Sequence, residues 1–159
     1  MALGKSAYPK DLFGIIVFFD EDSCKSIQME KKMGDKKVFH TEKAAVTGGP
    51  YAQAVIHDGL IYTAGQGAID PETNQLKLGS VEEEAELALQ NLKIILEEAG
   101  SSLKNVLKVT VYLLDMEEFA RFNVVYKKYF GEDLPARTCI QAACLPFETR
   151  VEIEAIAHV

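Results

Sequence analysis

After the first 37 residues, apolar and polar residues alternate with two different periods, and each period predicts an element. Two short strand-like runs flank Asp58 and Gly59, a pair typical of two-residue hairpin turns. Farther on, apolar residues recur at helical spacing after Ser80, which forms a capping box with Glu83. Gly100 suits the position just past the helix end. The pattern therefore predicts a hairpin followed by an amphipathic helix.

The second half of the chain continues with strand, helix, strand and strand. Four apolar residues at alternate positions predict a strand and are expected on its buried face: Leu107, Val109, Val111 and Leu113. A second helix is expected to be capped by Asp115 with Glu118, to carry several aromatic residues and to end at Gly131. Two final strands are predicted at about 138–143 and 150–159. The order β-β-β-α-β-α-β-β predicts an α+β fold with two helices on one face of a mixed sheet of about six strands.

Residues 1–37 follow no sustained period, and we interpret them as an N-terminal extension of unknown role. The remaining residues, 38–159, then form one domain. The apolar octet LFGIIVFF inside the extension is far shorter than the roughly 20 residues of a membrane span. We interpret residues 13–19 as a segment able to dock as an added strand. The acidic residues that follow argue against a mitochondrial transit peptide, so a cytoplasmic location is expected, with a mitochondrial one as the alternative.

Charge and cysteine content exclude several classes of function. The 159-residue chain has a formal net charge of −7 and no dense run of Lys and Arg, which disfavours nucleic acid as a partner. The three cysteines show neither disulfide-framework nor zinc-site spacing. No metal is expected, and no membrane partner either.

Three polar side chains occupy otherwise apolar elements. Arg137 and Cys139 share one side of a strand if that strand already begins at Arg137, and Glu152 lies opposite the apolar face of the last strand. A buried glutamate needs water, a donor or a cation, so an ion pair of Glu152 with Arg150 or Arg137, or plain exposure, is the simpler explanation. Cys139 is more often a small buried hydrophobe than a nucleophile in such a position. For Asn123, in the second helix, the simpler explanation is a core residue whose side-chain amide is fully hydrogen-bonded.

Five blocks of the sequence carry information that periodicity alone does not give. GPYAQAV, IYTAGQ, FARFNVVYKKYF, LPARTCIQAACLP and VEIEAIA resemble, in the correct order, the signatures of the RidA/YjgF family of reactive-intermediate deaminases. The resemblance runs from about residue 44 to residue 159 and leaves residues 1–37 uncovered. It implies a chorismate-mutase-like fold assembled as a homotrimer, with sites in clefts between subunits. It also implies no cofactor and no metal.

The activity implied by this resemblance is hydrolytic deamination. Enamines such as 2-aminoacrylate, and the imines 2-iminopropanoate and 2-iminobutanoate, would be converted to 2-keto acids and ammonia. This reaction would protect pyridoxal-phosphate enzymes from damage. The partners implied are small 2-imino acids and further copies of the same chain.

The functional positions of the family fall on matching residues of this chain: Tyr51, Gly65, Asn123, Arg137, Cys139 and Glu152. The resemblance implies that Arg137 clamps the substrate carboxylate, because a guanidinium matches a carboxylate with two parallel hydrogen bonds. Glu152 would position or deprotonate the attacking water, and Cys139 would act through its backbone. Ala64 stands where many relatives have serine, which leaves the substrate preference open.

Two further functions remain as alternatives. One is a non-catalytic, ligand-binding regulatory trimer that uses the same cleft. The other is an endoribonuclease or translation inhibitor, which the net charge of −7 disfavours. Arg137 favours the deaminase, since relatives without this arginine are poor candidates for that activity.

Overall fold

A computed structural model describes residues 35–46 and 48–159 of the chain. These residues belong to one compact unit, Gly34–Val159. The interpretation of residues 1–37 as an extension, with residues 13–19 as an added strand, falls almost wholly outside the described residues. Within the described ranges, no helix is long and apolar enough to cross a membrane.

Six strands form one mixed sheet, and two helices pack against it. The elements are β1 (Lys37–Phe39), β2 (Ala54–His57), β3 (Leu60–Thr63), α1 (Val81–Glu98), β4 (Val106–Leu113), α2 (Phe119–Phe130), β5 (Ala136–Gln141) and β6 (Val151–His158). Short 3₁₀ turns lie at Leu103–Asn105, Met116–Glu118 and Pro146–Glu148. The strand order is β1-β2-β3-β6-β4-β5, with β4 and β5 parallel and every other pair antiparallel. The predicted α+β class and element order are confirmed.

Local turn and cap signals are realised where the sequence predicts them. Asp58 and Gly59 join β2 to β3 with positive φ angles of 50° and 77°, the backbone that a tight hairpin turn requires. The Ser80 side chain accepts a hydrogen bond from the Glu83 backbone, and the Glu83 side chain accepts one from the Ser80 backbone. Gly100 adopts φ 89° just past α1, which suits a residue without Cβ.

The β4 prediction is wrong at Leu107. A register shift between Val106 and Lys108 bulges the strand there, so Val106 is buried and Leu107 is 49% exposed. The extra residue turns only Leu107, the first of the four predicted residues, away from the core, because the alternation resumes after the bulge. Val109, Val111 and Leu113 are fully buried as predicted.

Two element starts also differ from their predictions. Asp115 caps the 3₁₀ turn that precedes α2, accepting a hydrogen bond from the Glu117 backbone, and α2 itself begins at Phe119. Strand β5 begins at Ala136, two residues before its predicted start. Arg137 therefore lies within a regular strand and shares the register of its neighbour β4.

The two faces of the sheet have different surroundings. The helix-covered face packs against α1 and α2 and holds the core, which includes Val109, Val111, Ile153, Leu89 and Leu92. The opposite face, here called the open face, carries the residues that alternate with these. Among them Val38, Tyr62 and Ile140 are 60%, 40% and 46% exposed.

Candidate functional site

Arg137 lies on the helix-covered face, at the edge of the sheet. It is the register partner of Val109, whose side chain is buried in the core. The Arg137 Cζ atom lies 4.4 Å from the centroid of the Tyr126 ring, 5.5 Å from that of Phe119 and 5.8 Å from that of Phe122. The guanidinium forms no hydrogen bond or ion pair with any described residue. Its N–H donors are therefore not engaged by this part of the chain.

Cys139 and Asn123 lie on the elements that surround this guanidinium, strand β5 and helix α2. Cys139 is two residues along the same strand on the same face, and it packs against the core. Asn123 is partly buried and lies on the helix surface between Phe119 and Tyr126, at the four- and three-residue spacings that bring side chains together. We call Arg137, Cys139 and Asn123 the clamp cluster.

The environment of Cys139 does not activate its thiol. Partial burial raises the pKa of Cys139 above its ordinary value, and the charge of Arg137 offsets only part of that effect. A nucleophilic cysteine requires the opposite shift, since the thiolate is the reactive form. The geometry thus favours the interpretation of Cys139 as a packing residue.

Glu152 lies on the open face, where its carboxylate rests against Gly65. It is the register partner of Tyr112, and a bridge between Gln66 and Ile153 holds the Gly65 loop beside β6. A Cβ atom at position 65 would lie only 1.8 Å from Glu152 Oε1, so a glycine is required for this close approach. We call Glu152 and Gly65 the base cluster.

Burial and a neighbouring charge both act on Glu152. Its carboxyl is half-buried, and desolvation raises its pKa above the ordinary value, with a second contribution from the charge of Glu154. Glu154 accepts a hydrogen bond from the Tyr112 hydroxyl over 3.2 Å. Glu152 itself has no hydrogen-bond partner among the described residues. An incompletely solvated carboxylate of raised pKa is a suitable proton acceptor.

Tyr51 lies in an exposed loop before β2. Its side chain is 54% exposed, and the ring lies so close to Gly49 that a Cβ there would be 2.6 Å from Tyr51 Cε1. The loop is anchored by Gln53, which is buried and whose side-chain amide donates to the Thr41 and Ala45 carbonyls. These contacts hold Tyr51 on a surface loop without joining it to either cluster.

The structure contradicts the ion pairs expected for Glu152 and leaves this residue partly exposed on the open face. Neither expected ion pair forms, because Arg150 instead pairs with Glu118 at 2.9 Å and Arg137 lies on the other face of the sheet. One copy of the chain therefore brings Arg137 together with Cys139 and Asn123, and Glu152 together with Gly65. It does not bring the two clusters to one face.

The ring environment of Arg137 was not anticipated from the sequence. The helical spacing of Phe119, Phe122 and Tyr126 predicts that the three rings share one face of the helix. The sequence did not predict the parallel pairing of β4 with β5, which places the connecting helix over both strands. Within the described ranges, no group of three or more His, Cys, Asp or Glu side chains is arranged to hold a metal ion.

Comparisons with known proteins agree with this architecture. The family model described as Endoribonuclease L-PSP matches residues 41–159. A Mus musculus protein named 2-iminobutanoate/2-iminopropanoate deaminase is 52% identical over 122 residues, covering 77% of this chain and 90% of its own. A RutC family protein of Pyrococcus abyssi is 48% identical over 123 residues, covering 77% and 97%. The crystal structure of E. coli TdcF with bound serine superposes with a TM-score of 0.73 at 38% identity, covering 77% and 98%.

Proposed function

Because the chain belongs to the Endoribonuclease L-PSP family, which is the RidA/YjgF family its motifs resemble, we propose that it hydrolyses 2-imino acids to 2-keto acids and ammonia. The substrates would be 2-iminopropanoate and 2-iminobutanoate, formed from enamines such as 2-aminoacrylate. The observation that carries the proposal is the Arg137 guanidinium, which is held over three aromatic rings and has no acceptor among the described residues. Mammalian relatives near 50% identity bear the name of this activity.

In the proposed reaction the clamp cluster binds the carboxylate of the substrate. Arg137 donates two parallel hydrogen bonds to the two oxygens, a geometry that a lysine ammonium does not reproduce. Fixing the carboxylate also fixes the adjacent C=N carbon, and this orientation lowers the barrier to attack. Asn123 and the backbone of Cys139, the other members of the clamp cluster, would help to hold the substrate.

Glu152 serves as the general base in this proposal. It accepts a proton from water as the oxygen bonds to the imine carbon and the C=N π electrons move to nitrogen. The proton is then passed to the nitrogen, which gives a carbinolamine. Glu152 next takes the proton of the new hydroxyl group and returns it to the amine nitrogen as the C–N bond breaks, so that ammonia leaves and the C=O bond forms. Because an imine is itself reactive, a single positioned carboxylate and a bound water are sufficient, and the raised pKa of Glu152 makes its carboxylate a stronger proton acceptor.

Assembly into a homotrimer is part of the same proposal. Arg137 and Glu152 lie on opposite faces of one sheet, so a complete site requires the clamp cluster of one copy to meet the base cluster of another. The exposed apolar side chains of the open face, among them Val38, Tyr62 and Ile140, support burial of that face by a second copy.

A subunit-mixing experiment tests the shared site. Arg137→Ala and Glu152→Gln chains are each expected to be nearly inactive. After denaturation and joint refolding in equal amounts, about a quarter of the sites would pair an intact Arg137 with an intact Glu152 from different copies. We expect a corresponding return of activity, with a trimeric mass by light scattering. Full activity in a monomer, or no return of activity in mixed trimers, would contradict the shared site.

A coupled assay tests the activity itself. A threonine or serine dehydratase generates the imine, and its disappearance is followed with and without added protein. We expect faster loss of the imine with the native chain and a large reduction with Arg137→Ala, compared under conditions in which both are folded. An equal rate with and without the native protein would rule out the deaminase.

A second candidate function is non-catalytic ligand binding. It is favoured by the crystal structure of the relative E. coli TdcF, which contains bound serine. Binding of a 2-keto acid by the native chain without acceleration of imine hydrolysis would support it over the deaminase. The family description also names endoribonuclease activity, but a net charge of −7 disfavours binding to a phosphate backbone.

A further inference from the structure

We infer that Tyr126 is a positioning residue for Arg137, and that its ring face fixes the plane of the guanidinium so that the free N–H edge meets a carboxylate. The inference rests on the proposed function for the identity of the ligand. It rests on the structure for the geometry of the two side chains. The ligand class is a small 2-oxo or 2-imino carboxylate.

The ring of Tyr126 is the nearest of the three around Arg137. Its centroid lies 4.4 Å from Arg137 Cζ, whereas those of Phe119 and Phe122 lie 5.5 and 5.8 Å away. A cation within about 6 Å of a ring centroid is attracted to the ring, and the attraction increases as water is excluded. Tyr126 is only 5% exposed, so its contribution to holding the guanidinium is made in a largely dry environment.

Tyr126 is itself held in place by two further rings. It stacks on Phe130 with centroids 4.4 Å apart and planes 29° apart, and it contacts Phe122 at 5.7 Å. All three residues lie on α2, so the orientation of the ring follows from the helix. The ring therefore fixes the plane of a guanidinium that packs against it.

Arg137 requires such support because no described polar group holds it. It lies on β5, which pairs with β4 at one edge of the sheet, and its guanidinium has no hydrogen bond to a described residue. A flexible arginine loses rotamer freedom when it binds a ligand, and that loss weakens binding. Stacking on a fixed ring orders the side chain beforehand and leaves its in-plane N–H donors free.

The hydroxyl group of Tyr126 is not needed for this role. It is buried and has no hydrogen-bond partner within the described residues. Burial raises the pKa of Tyr126 to about 12, while the charge of Arg137 acts in the opposite direction. The hydroxyl thus stays protonated near neutral pH, and the ring and hydroxyl contributions can be separated by substitution.

The test compares variants that keep or remove the ring. Tyr126→Phe keeps the ring face, and Tyr126→Met fills similar space without one. Tyr129→Leu is the matched control, since Tyr129 lies on the same helix but its hydroxyl bonds Glu86 and its ring is not among those around Arg137. Dissociation constants for 2-oxobutanoate are measured by calorimetry, and kcat and KM are measured in the coupled assay.

We expect Tyr126→Met to weaken 2-oxobutanoate binding about tenfold, in the range of a partly desolvated cation–π contact. Tyr126→Phe is expected to weaken it less than about threefold, and Tyr129→Leu less than about twofold. Equal losses in Tyr126→Phe and Tyr126→Met would overturn the inference in favour of the hydroxyl. Native-like binding by a folded Tyr126→Met protein would overturn it outright.

A spectroscopic measurement provides a readout independent of activity and of ligand. In ¹H–¹⁵N spectra, the Arg137 Nε–H signal, assigned by its loss in Arg137→Ala, is expected to be displaced upfield by the ring beneath it. The displacement should persist in Tyr126→Phe and become clearly smaller in Tyr126→Met, where only the more distant Phe119 and Phe122 rings remain. General changes across the spectrum would reveal a Tyr126→Met protein that folds differently. If Tyr126→Met does not fold, an undisplaced Arg137 signal in the native protein or in Tyr126→Phe contradicts the inference. If the native chain lacks deaminase activity but these spectral and binding changes occur, the proposed function fails and the positioning role stands.

Discussion

The clamp cluster and the base cluster are charged sites without a partner of opposite charge among the described residues, and each is stabilised differently. Arg137 rests on the faces of aromatic rings, which attract a cation without occupying its N–H donors. Glu152 lies against a glycine backbone, where burial raises its pKa and leaves it ready to accept a proton. The sheet keeps the two apart within one copy, which prevents an ion pair that would neutralise both. The comparison indicates that, within one copy, neither group neutralises the charge of the other.

The clamp cluster should show the largest mutational effect. Arg137→Ala would remove the two charge-assisted hydrogen bonds that the proposed clamp makes to the substrate carboxylate, each contributing about 1.5–3 kcal/mol and not additively. We expect kcat/KM to fall on the order of a hundredfold or more, since about 1.4 kcal/mol corresponds to tenfold. Arg137→Lys should rescue poorly, because an ammonium lacks the planar arrangement of donors. Near-native hydrolysis by a folded Arg137→Ala protein in the coupled assay would remove Arg137 from the clamp.

Glu152→Gln should affect the other cluster in a different way. The amide keeps the shape but cannot accept the proton of water, so kcat should fall by about a hundredfold, the low end of the range for general-base catalysis. Binding of 2-oxobutanoate should change little, because the clamp cluster is intact. Calorimetry and steady-state kinetics together separate the two quantities. Unchanged kcat would exclude Glu152 as the base.

Gly65→Ala tests the base cluster through its backbone. The added Cβ would lie 1.8 Å from Glu152 Oε1, so the carboxylate must move away. The obstacle is the end of a flexible side chain, and we therefore expect the fold to survive while kcat falls about tenfold through displacement of the base. Thermal unfolding serves as the control. Native kcat in a folded Gly65→Ala protein would show that the position of the carboxylate is not critical.

The pH dependence should reveal the charge next to Glu152. Activity should fall in acid as Glu152 becomes protonated, at a pH above the ordinary range for a glutamate because its pKa is raised. Glu154→Gln removes a neighbouring negative charge. The other titratable groups on this part of the open face are Tyr112, which donates to Glu154, and Tyr62 and Lys108, which line the same pocket as Glu154. The acidic limb of the kcat profile should therefore move to lower pH in Glu154→Gln. An unmoved limb would exclude a contribution from Glu154.

The raised pKa of Glu152 also affects the stability of the folded chain. The folded state binds the Glu152 proton more tightly than the unfolded state, so the contribution of this group to stability falls as pH rises from its ordinary pKa through the raised one. Glu152→Gln should consequently be no less stable than the native chain at neutral pH.

Cys139→Ala should have the smallest effect. The thiol is partly buried with a raised pKa, and the proposed contact with substrate comes from the backbone. We expect kcat/KM to change by less than about threefold. A loss as large as that of Arg137→Ala would instead support a nucleophilic cysteine.

The sequence by itself determined the features that depend on neighbours in the chain. The Ser80 and Glu83 cap, the Asp58 and Gly59 turn and the order of strands and helices were predictable because their causes lie within a few residues. The motifs also identified the family and the candidate residues of both clusters. The position of Leu107 was mispredicted because a bulge depends on pairing with β6, which lies far along the chain.

Only the tertiary structure decided which candidate residues meet. The parallel pairing of β5 with β4 sets Arg137 beneath α2, and the bridge between Gln66 and Ile153 sets Gly65 against Glu152. Both contacts join segments that are distant in sequence, and a strand shifted by one residue would turn each side chain to the other face. Alternation within each strand predicted which residues share a face, but it did not predict which strands become neighbours. The environments of Arg137 and Glu152 therefore followed from strand pairing, whereas their chemical types were already present in the sequence.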